Sequence, residues 1–353
     1  MISTLLFALA CESDNVLHPQ DDVVTPTDGY GDISGRVCDP TGYTWLEGAT
    51  VFVNVYDVDG WLIEVKMTLT DKDGWWSLSE LPTGSAHEVM IQKGTEVIET
   101  HTVDVRSGRT TKLDEPPCLD PSTLDIAVIA GNYDDFDQVL DHMGIADYAI
   151  IDGLDQAQLE DFLLNPTAMA DYDLIFFNGG ALEEGIVYDT ADSTNPLPAE
   201  IQQNLRDFVE AGGSVYASDW AYDVIVQTWP GRLDFLGAEG TPNSAQLGSS
   251  QTVNARVSNY AMSEFLEAEG DYVPVVFDLP VWPPVVQVSS TVSTHLVADV
   301  EYRENGVTLY QAASPLLVSF NGGGGRVVFS SYRMVANDSE DMVKVMKYVM
   351  FAL

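Results

Sequence analysis

Two patterns of apolar spacing divide the chain. From residue 31 to 115, apolar and polar positions alternate in short segments: Asp32–Cys38, Thr50–Tyr56, Leu62–Leu69, Trp75–Leu78, Glu88–Gln92 and Thr102–Val105. Gly, Pro or Asp turns separate them, and several such strands with no helical period predict a β-sandwich. A Pro-rich joint occupies 116–123, and after it the pattern changes. Leu124–Ala130, Tyr148–Ile151, Leu174–Phe177 and Val215–Ser218 are apolar runs without alternation. Between them, Phe136–Met143, Gln156–Leu164 and Ile201–Glu210 have helical spacing, the last through Ile201, Leu205, Phe208 and Val209, with Gly212 and Gly213 as its stop. Strands of this kind separated by helices predict a three-layer α/β/α sandwich with a mostly parallel sheet over 124–353.

Between about 224 and 312 the spacing is irregular. Val253–Val257 and Val285–Val292 read as strands and Met262–Ala268 as a short helix, and the whole stretch is expected to be an insertion near the carboxyl edge of the sheet. The main pattern resumes with Leu316–Phe320, a turn at Gly322–Gly325, the strand Val327–Ser331 and a final helix, Ser339–Phe351. No Gly-Lys-Ser/Thr follows the four glycines, so they form a hairpin turn and not a phosphate loop.

Charge narrows the range of partners. With 15 Lys and Arg against 55 Asp and Glu, the 353-residue chain carries a formal net charge of -40. Such a surface repels phosphates and anionic headgroups, which excludes nucleic acid as a partner and leaves membrane attachment to an N-terminal lipid anchor alone. The acid excess reads as a solvated surface before it reads as a cation store, and no cofactor or metal site is expected. No apolar run approaches the roughly 20 residues that cross a bilayer.

The anchor is expected at the start. Residues 1–11 form a short apolar run ending Ala8-Leu9-Ala10-Cys11, which resembles a bacterial lipoprotein signal with Cys11 as the lipidated residue. Residues 12–30 are acidic and Pro-punctuated, as a tether would be. The protein is therefore expected to be exported to the bacterial cell envelope, in the periplasm or on the outer membrane. Cys38 and Cys118 remain, and in an exported chain two cysteines suggest one disulfide, with two buried thiols as the alternative.

Two family resemblances add to this. Gly35-Arg-Val-Cys-Asp-Pro-Thr-Gly42, Leu46-Glu-Gly-Ala-Thr-Val51, Thr70-Asp-Lys-Asp-Gly-Trp75 and Leu81-Pro-Thr-Gly84 together resemble the carboxypeptidase regulatory-like domain, a transthyretin-like sandwich, over residues 31–115. That resemblance implies a non-catalytic accessory module. Asp57-Val-Asp-Gly60 and Asp71-Lys-Asp-Gly74 within it are read as turns rather than calcium loops, since Asp and Gly tolerate positive φ. Leu174-Ile-Phe-Phe-Asn-Gly-Gly180, Phe208-Val-Glu-Ala-Gly-Gly-Ser-Val-Tyr-Ala-Ser-Asp219 and Gly325-Arg-Val-Val-Phe-Ser-Ser-Tyr-Arg333 resemble the class I glutamine amidotransferase-like superfamily over 124–353. In working members a glycine loop builds the oxyanion hole, a turn after the next strand carries a nucleophilic Cys, and a late strand delivers His. Asn178, Gly179 and Gly180 match the loop, but the Cys position holds Asp219 and the His position Arg333.

An aspartate forms no thioester and an arginine is no base, so amide hydrolysis by a Cys-His pair is excluded. Asp219 and Arg333 are expected to face each other as an ion pair. Ligands of open α/β sheets sit at the carboxyl ends of the strands. Asn132, Tyr133, Asp134, Asp135, Asp152, Ser218, Trp220, Tyr222 and Asp223 are therefore the further candidates around that mouth, with a role as helix N-terminal residues the favoured alternative for Asp134 and Asp135. Ser218 lacks a visible base, with His142 in a helix and His295 in the irregular stretch. The sequence points to a non-enzymatic binder of an unidentified ligand or envelope protein, with a hydrolase, metal-dependent or not, using the acidic cleft as the alternative.

Overall fold

The computed structural model describes residues 27–352 except 39–44, 47, 58–60, 94–95, 114–117, 119–123, 144, 146, 239–240, 267–271 and 334–338. The expected signal segment, Cys11 and most of the tether and joint lie outside the described residues. What is described is a multidomain α/β arrangement with more than one mixed sheet.

The first sheet comprises β1 (Thr27–Arg36), β2 (Thr50–Tyr56), β3 (Leu62–Leu69), β4 (Trp75–Lys93), β5 (Glu96–Val105) and β6 (Thr110–Lys112), in the order β3-β2-β4-β1-β6 with β5 also on β4. Alternation decides what it buries: Val51, Val53 and Val55 of β2 meet Val89 and Ile91 of β4, and Ile33, Trp76, Leu78, Val103 and Val105 complete one core. The two separate strands expected at Trp75–Leu78 and Glu88–Gln92 are halves of the single nineteen-residue β4. Its first half pairs with β1 and its second with β2 and β5, and the chain changes partner around Glu80 and Ala86, both at positive φ. Asp71 Oδ1 accepts the Asp73 and Trp75 N–H groups, and Asp57 Oδ1 accepts that of Trp61, so both carboxylates are occupied in turns. Cys38 and Cys118 are joined in a disulfide.

The second sheet has nine strands in the order β13-β12-β15-β16-β17-β10-β9-β7-β8. Here β7 is Ile126–Ala130, β8 Ala149–Asp152, β9 Leu174–Phe177, β10 Ser214–Ser218, β12 Gln251–Val257, β13 Tyr272–Phe277, β15 Ser293–Glu304, β16 Val307–Asn321 and β17 Arg326–Ser330. A separate two-stranded sheet joins β11 (Leu233–Phe235) to β14 (Val285–Val288).

The expectation of a mostly parallel sheet reaches only the five strands from β17 to β8, because β13, β12, β15 and β16 add an antiparallel half. The stretch expected to be an insertion over 224–312 thus supplies four strands of the main sheet, counting β16, which begins at Val307. Its strongest local signal is Asn305-Gly306, both at positive φ, which closes the β15–β16 hairpin as a two-residue turn.

Helices cover both faces. α1 (Phe136–Met143), α6 (Tyr260–Leu266) and α7 (Glu340–Ala352) pack on one side, where Phe176 lies between Phe136 and Tyr216. α2 (Gln156–Leu163), α3 (Pro166–Met169), α4 (Leu197–Ala211) and α5 (Tyr222–Thr228) bury their apolar stripes on the other. Neighbouring residues of one parallel strand serve opposite cores, Phe176 one and Ile175 and Phe177 the other, which is why these strands read as unbroken apolar runs.

The Gly322–Gly325 turn joins β16 to β17 against the end of α4: Gly325 N–H donates to Val209 O, and a Cβ on Gly325 would lie 1.8 Å from Gly213 O. Backbone cannot retreat as a side chain can. Gly325→Ala is therefore expected to lower stability by about 1–3 kcal/mol in a denaturant titration, whereas an unchanged midpoint would show that the turn is not clamped.

Candidate functional site

The carboxyl ends of β7, β9, β10 and β17 converge on Asp219. β10 ends at Ser218, and the chain turns at once into a 3-10 turn (Asp219–Ala221) and then α5. To make that corner Asp219 adopts φ 48, the left-handed region, which costs a residue with a Cβ about 1 kcal/mol or more. Gly179 makes room for it, since a Cβ there would stand 3.1 Å from the Asp219 Cβ. At Gly180, φ is +83 and a Cβ would strike the Tyr133 ring at 2.5 Å.

Beneath the corner lies a carboxyl that the sequence offers at this mouth but favours as a helix N-terminal residue. Asp134 is not a helix cap; it is buried, and its Oδ2 accepts the Ser218 hydroxyl in a short bond and the Gly179 N–H at 2.9 Å. Ser218 Oγ also accepts the Gly179 N–H at 3.2 Å. Loss of water pushes the Asp134 carboxyl up to about 7, against the lowering effects of Ser218, Gly179 and Arg333. Burial also raises Asp219 well above the usual carboxylate range, with the nearby Asp134 charge adding to it and Arg333 opposing. Asp134 Oδ1, Asp219 Oδ1 and Asn178 Oδ1 are buried acceptors without a hydrogen-bond partner, a concentration unusual in a folded chain.

The expected Asp219–Arg333 ion pair is not formed. Arg333 forks instead onto Asp278, just beyond β13, with Nε donating to Oδ1 at 2.9 Å and Nη2 to Oδ2, while Nη1 donates to Tyr133 O at 2.6 Å. The choice follows from solvation: Asp278 is about half exposed, and its contact with Arg333 holds it below the usual carboxylate range, whereas Asp219 is desolvated and favours its neutral form. Arg333 thus straps the antiparallel half of the sheet to the β7–α1 loop.

The other candidates divide. Asn132 is exposed beside Gly180, and Asp152 is exposed at the sheet edge, where Oδ1 accepts its own loop's Leu154 N–H at 2.9 Å. Tyr222 and Asp223 are fully buried rather than open at a mouth. They hold the 243–245 segment: the Tyr222 hydroxyl accepts the Ala245 N–H at 3.1 Å and Asp223 Oδ2 that of Asn243 at 2.6 Å. Trp220 joins them, its Nε1 donating to Asn243 Oδ1 at 3.2 Å. Beside them Glu183, unremarked in the sequence, is buried and accepts the Val224 N–H at 3.2 Å; burial raises its carboxyl, and the Asp223 charge raises it further.

Among the described residues no histidine is bonded to Ser218, whose hydroxyl donates to Asp134. His295 lies in β15, bonded through Nε2 to Ser319 Oγ at 2.8 Å and through Nδ1 to Asn259 Nδ2 at 3.3 Å. Asn259 Oδ1 already takes the Met262 N–H and the Tyr348 hydroxyl, so its amide nitrogen faces the ring. The imidazole then carries its proton on Nε2 and has no lone pair for Ser319, and burial lowers it to about 4. Among the described residues no group of three or more His, Cys, Asp or Glu is placed to hold a metal ion. Cavities among the described residues include a groove of about 700 Å³ lined by Gln202, Gln227, Arg232 and Gln287, and one of about 180 Å³ at the amino ends of β9 and β10.

No family model and no curated protein matches the sequence. Solved structures that it resembles include the mmIFT52 N-terminal domain, 14% identical over 64% of this chain and 95% of that one, with a TM-score of 0.40. A ThuA-like protein from Bacteroides uniformis is 10% identical over 64% and 89%, also at 0.40. PurLQS from Thermotoga maritima is 14% identical over 64% and 97%, at 0.33.

A carboxyl raised on folding binds its proton more tightly in the native state, so it favours folding below the unfolded value near 3.8 and loses that contribution as pH rises through 7. Asp134→Asn removes this dependence. Its melting midpoint is expected to exceed that of the parent at pH 8, by the equivalent of a few kcal/mol, and the gap should shrink steadily toward pH 4. A gap that does not change with pH would mean that Asp134 titrates as an ordinary surface acid.

Proposed function

We propose that the chain is an exported cell-envelope protein, which holds a polar ligand or an envelope partner at the corner formed by Asp219 and does not hydrolyse amides there. The observation that carries this reading is the left-handed backbone at Asp219, which places an acidic carboxyl, one oxygen unpartnered, where the amidotransferase-like resemblance calls for a nucleophile. Three buried acceptors together, on Asp134, Asn178 and Asp219, favour a ligand that brings hydrogen-bond donors: hydroxyls or a protonated amine.

The finer architecture belongs to the same proposal. Residues 31–115 are a carboxypeptidase regulatory-like β-sandwich with β4 as the strand shared by its two layers, and 124–353 a three-layer amidotransferase-like domain. The sandwich serves as a spacer or adhesive module between a lipid anchor at Cys11 and the binding domain. The Cys38–Cys118 disulfide supports export, since such bonds persist in oxidising compartments. Among the described residues no helix is long and apolar enough to cross a membrane.

A second reading, hydrolysis by the acidic pair, is favoured by one fact: Asp134 is pushed up to about 7, a value suited to a general acid, beside a second carboxyl. Turnover lost in Asp134→Asn with binding retained would select it.

Thermal unfolding with neutral sugars, polyols and primary amines at millimolar concentration tests the binding reading. One class is expected to raise the melting midpoint, as a ligand of the native state does, and Asp219→Ala is expected to abolish that rise. Absence of any shift, or a shift untouched by Asp219→Ala, contradicts it. Ammonia release from glutamine above background would contradict the exclusion of amide hydrolysis.

A further inference from the structure

The corner at Asp219 gathers more negative charge than the chain neutralises there. Among the described residues four carboxyls bear on it, those of Asp134, Asp135, Asp219 and Asp278, against the single cation Arg333. Arg333 is committed elsewhere, to Asp278 through Nε and Nη2 and to Tyr133 O through Nη1. Asp135 is exposed to water, whereas Asp134 and Asp219 are buried with no counter-ion of their own. A buried charge without a partner is costly, and retained protons remove it: desolvation pushes Asp134 up to about 7 and raises Asp219 well above the usual carboxylate range.

The unpartnered atoms surround one point of the backbone. Gly179 N–H donates to Asp134 Oδ2 at 2.9 Å and to Ser218 Oγ at 3.2 Å, and a Cβ on Gly179 would stand 3.1 Å from the Asp219 Cβ. Asn178 is the residue before it. Phe176 and Tyr216 are register partners in β9 and β10 and pack in the core on the α1 side. Two residues on, strand alternation turns Asn178 and Ser218 to that same side, where Asp134 leads into α1. Asn178 is 1% exposed, and its Oδ1 lacks a donor, as do Oδ1 of Asp134 and Oδ1 of Asp219.

We infer that the ligand of this corner is a primary ammonium group, which donates one N–H to each of these three oxygens and supplies the cation that Asp134 and Asp219 lack. This rests on the binding role proposed above for the corner and names the class of ligand. An ammonium has three donors and no acceptor, so nothing of its own is left unpaired, whereas a hydroxyl brings one donor and no charge. A guanidinium spreads five donors in a plane, and a quaternary ammonium has none. Space favours the compact group as well, because Asp219 closes on Gly179 and a Cβ on Gly180 would strike the Tyr133 ring at 2.5 Å. On binding, the ammonium keeps its three protons, and Asp134 releases its own to solvent as its carboxylate forms, so the charge of the corner is unchanged. Arg333 and Asp278 stay paired meanwhile, each holding the other in its charged form. Affinity therefore rises with pH: below 7 the proton competes for Asp134, and that competition fades as the carboxyl ionises.

Titration calorimetry of the full chain with ethanolamine, choline and ethylene glycol separates donors from charge. Choline carries the charge without N–H donors, and ethylene glycol carries hydroxyls without the charge. Ethanolamine is expected to bind at least about tenfold more tightly at pH 8 than at pH 6, releasing a proton to the buffer, while the other two do not bind. Asp219→Asn is expected to lose that binding, with circular dichroism confirming its fold. Nα-acetyl-lysine amide carries the same group on a longer stem: binding tighter than that of ethanolamine assigns the ammonium to a partner's lysine, and weaker binding assigns it to a free amine. Glycol or sugars binding without any preference for amines, and lost in Asp219→Ala, would overturn the ammonium and leave the corner as a binding site. Choline binding as well as ethanolamine, or an affinity that falls from pH 6 to pH 8, overturns it too. No binding by any of these compounds removes both the ammonium and the binding role.

Discussion

The second half of the molecule is built around a corner that one residue must turn. β10 runs between β9 and β17 in the middle of the sheet and has to release the chain directly into α5, leaving Asp219 in the left-handed region with no space on its inner side. Gly179 answers that crowding, and its N–H, freed from any strand partner, is shared by Asp134 and Ser218. The three loops are thereby fixed to one another through a few buried polar atoms. Desolvation then does the rest: two carboxyls so close and so dry favour holding their protons, and the nearby arginine seeks a wetter partner.

This explains how much could be read in advance. α1, α2 and α4 and the strands β7, β9 and β10 were legible because each helix buries one stripe and each strand both faces, so the apolar period reports burial directly, whereas the four-residue α3 was too short to show a period. The antiparallel half was legible only in part: Val253–Val257 of β12 and Leu316–Phe320 of β16 read as strands, whereas β13 and β15, which bury one face only in part, did not. Asn305-Gly306 was a legible hairpin signal inside that stretch, and following it would have extended the sheet. β4 misled for another reason, since a strand that changes partner midway carries turn-like residues without turning.

The site was half legible. Asn178, Gly179, Gly180, Ser218 and Asp219 are brought together as their motifs suggested. Asp134, which binds Gly179 from 45 residues away, looked like an ordinary helix cap because local sequence cannot tell a capping aspartate from one folded inward. Asp278 took Arg333 across 55 residues from a stretch whose place in the sheet was unknown. Tyr222 and Asp223 sat at the right strand end but in the first turn of α5, buried, where they hold the 243–245 segment and leave the crevice to others.

The acid excess has two different meanings in this chain. On the outside it is charge, while at the corner it is a store of protons held in place by burial. That contrast is open to direct measurement by carbon NMR of selectively labelled aspartate carboxyls, assigned through Asp134→Asn and Asp219→Asn. The account predicts that the Asp134 carboxyl titrates near 7 and that Asp219 titrates well above the usual carboxylate range, apart from the bulk of the surface acids. Both carboxyls titrating with the surface acids, near 4, would contradict it.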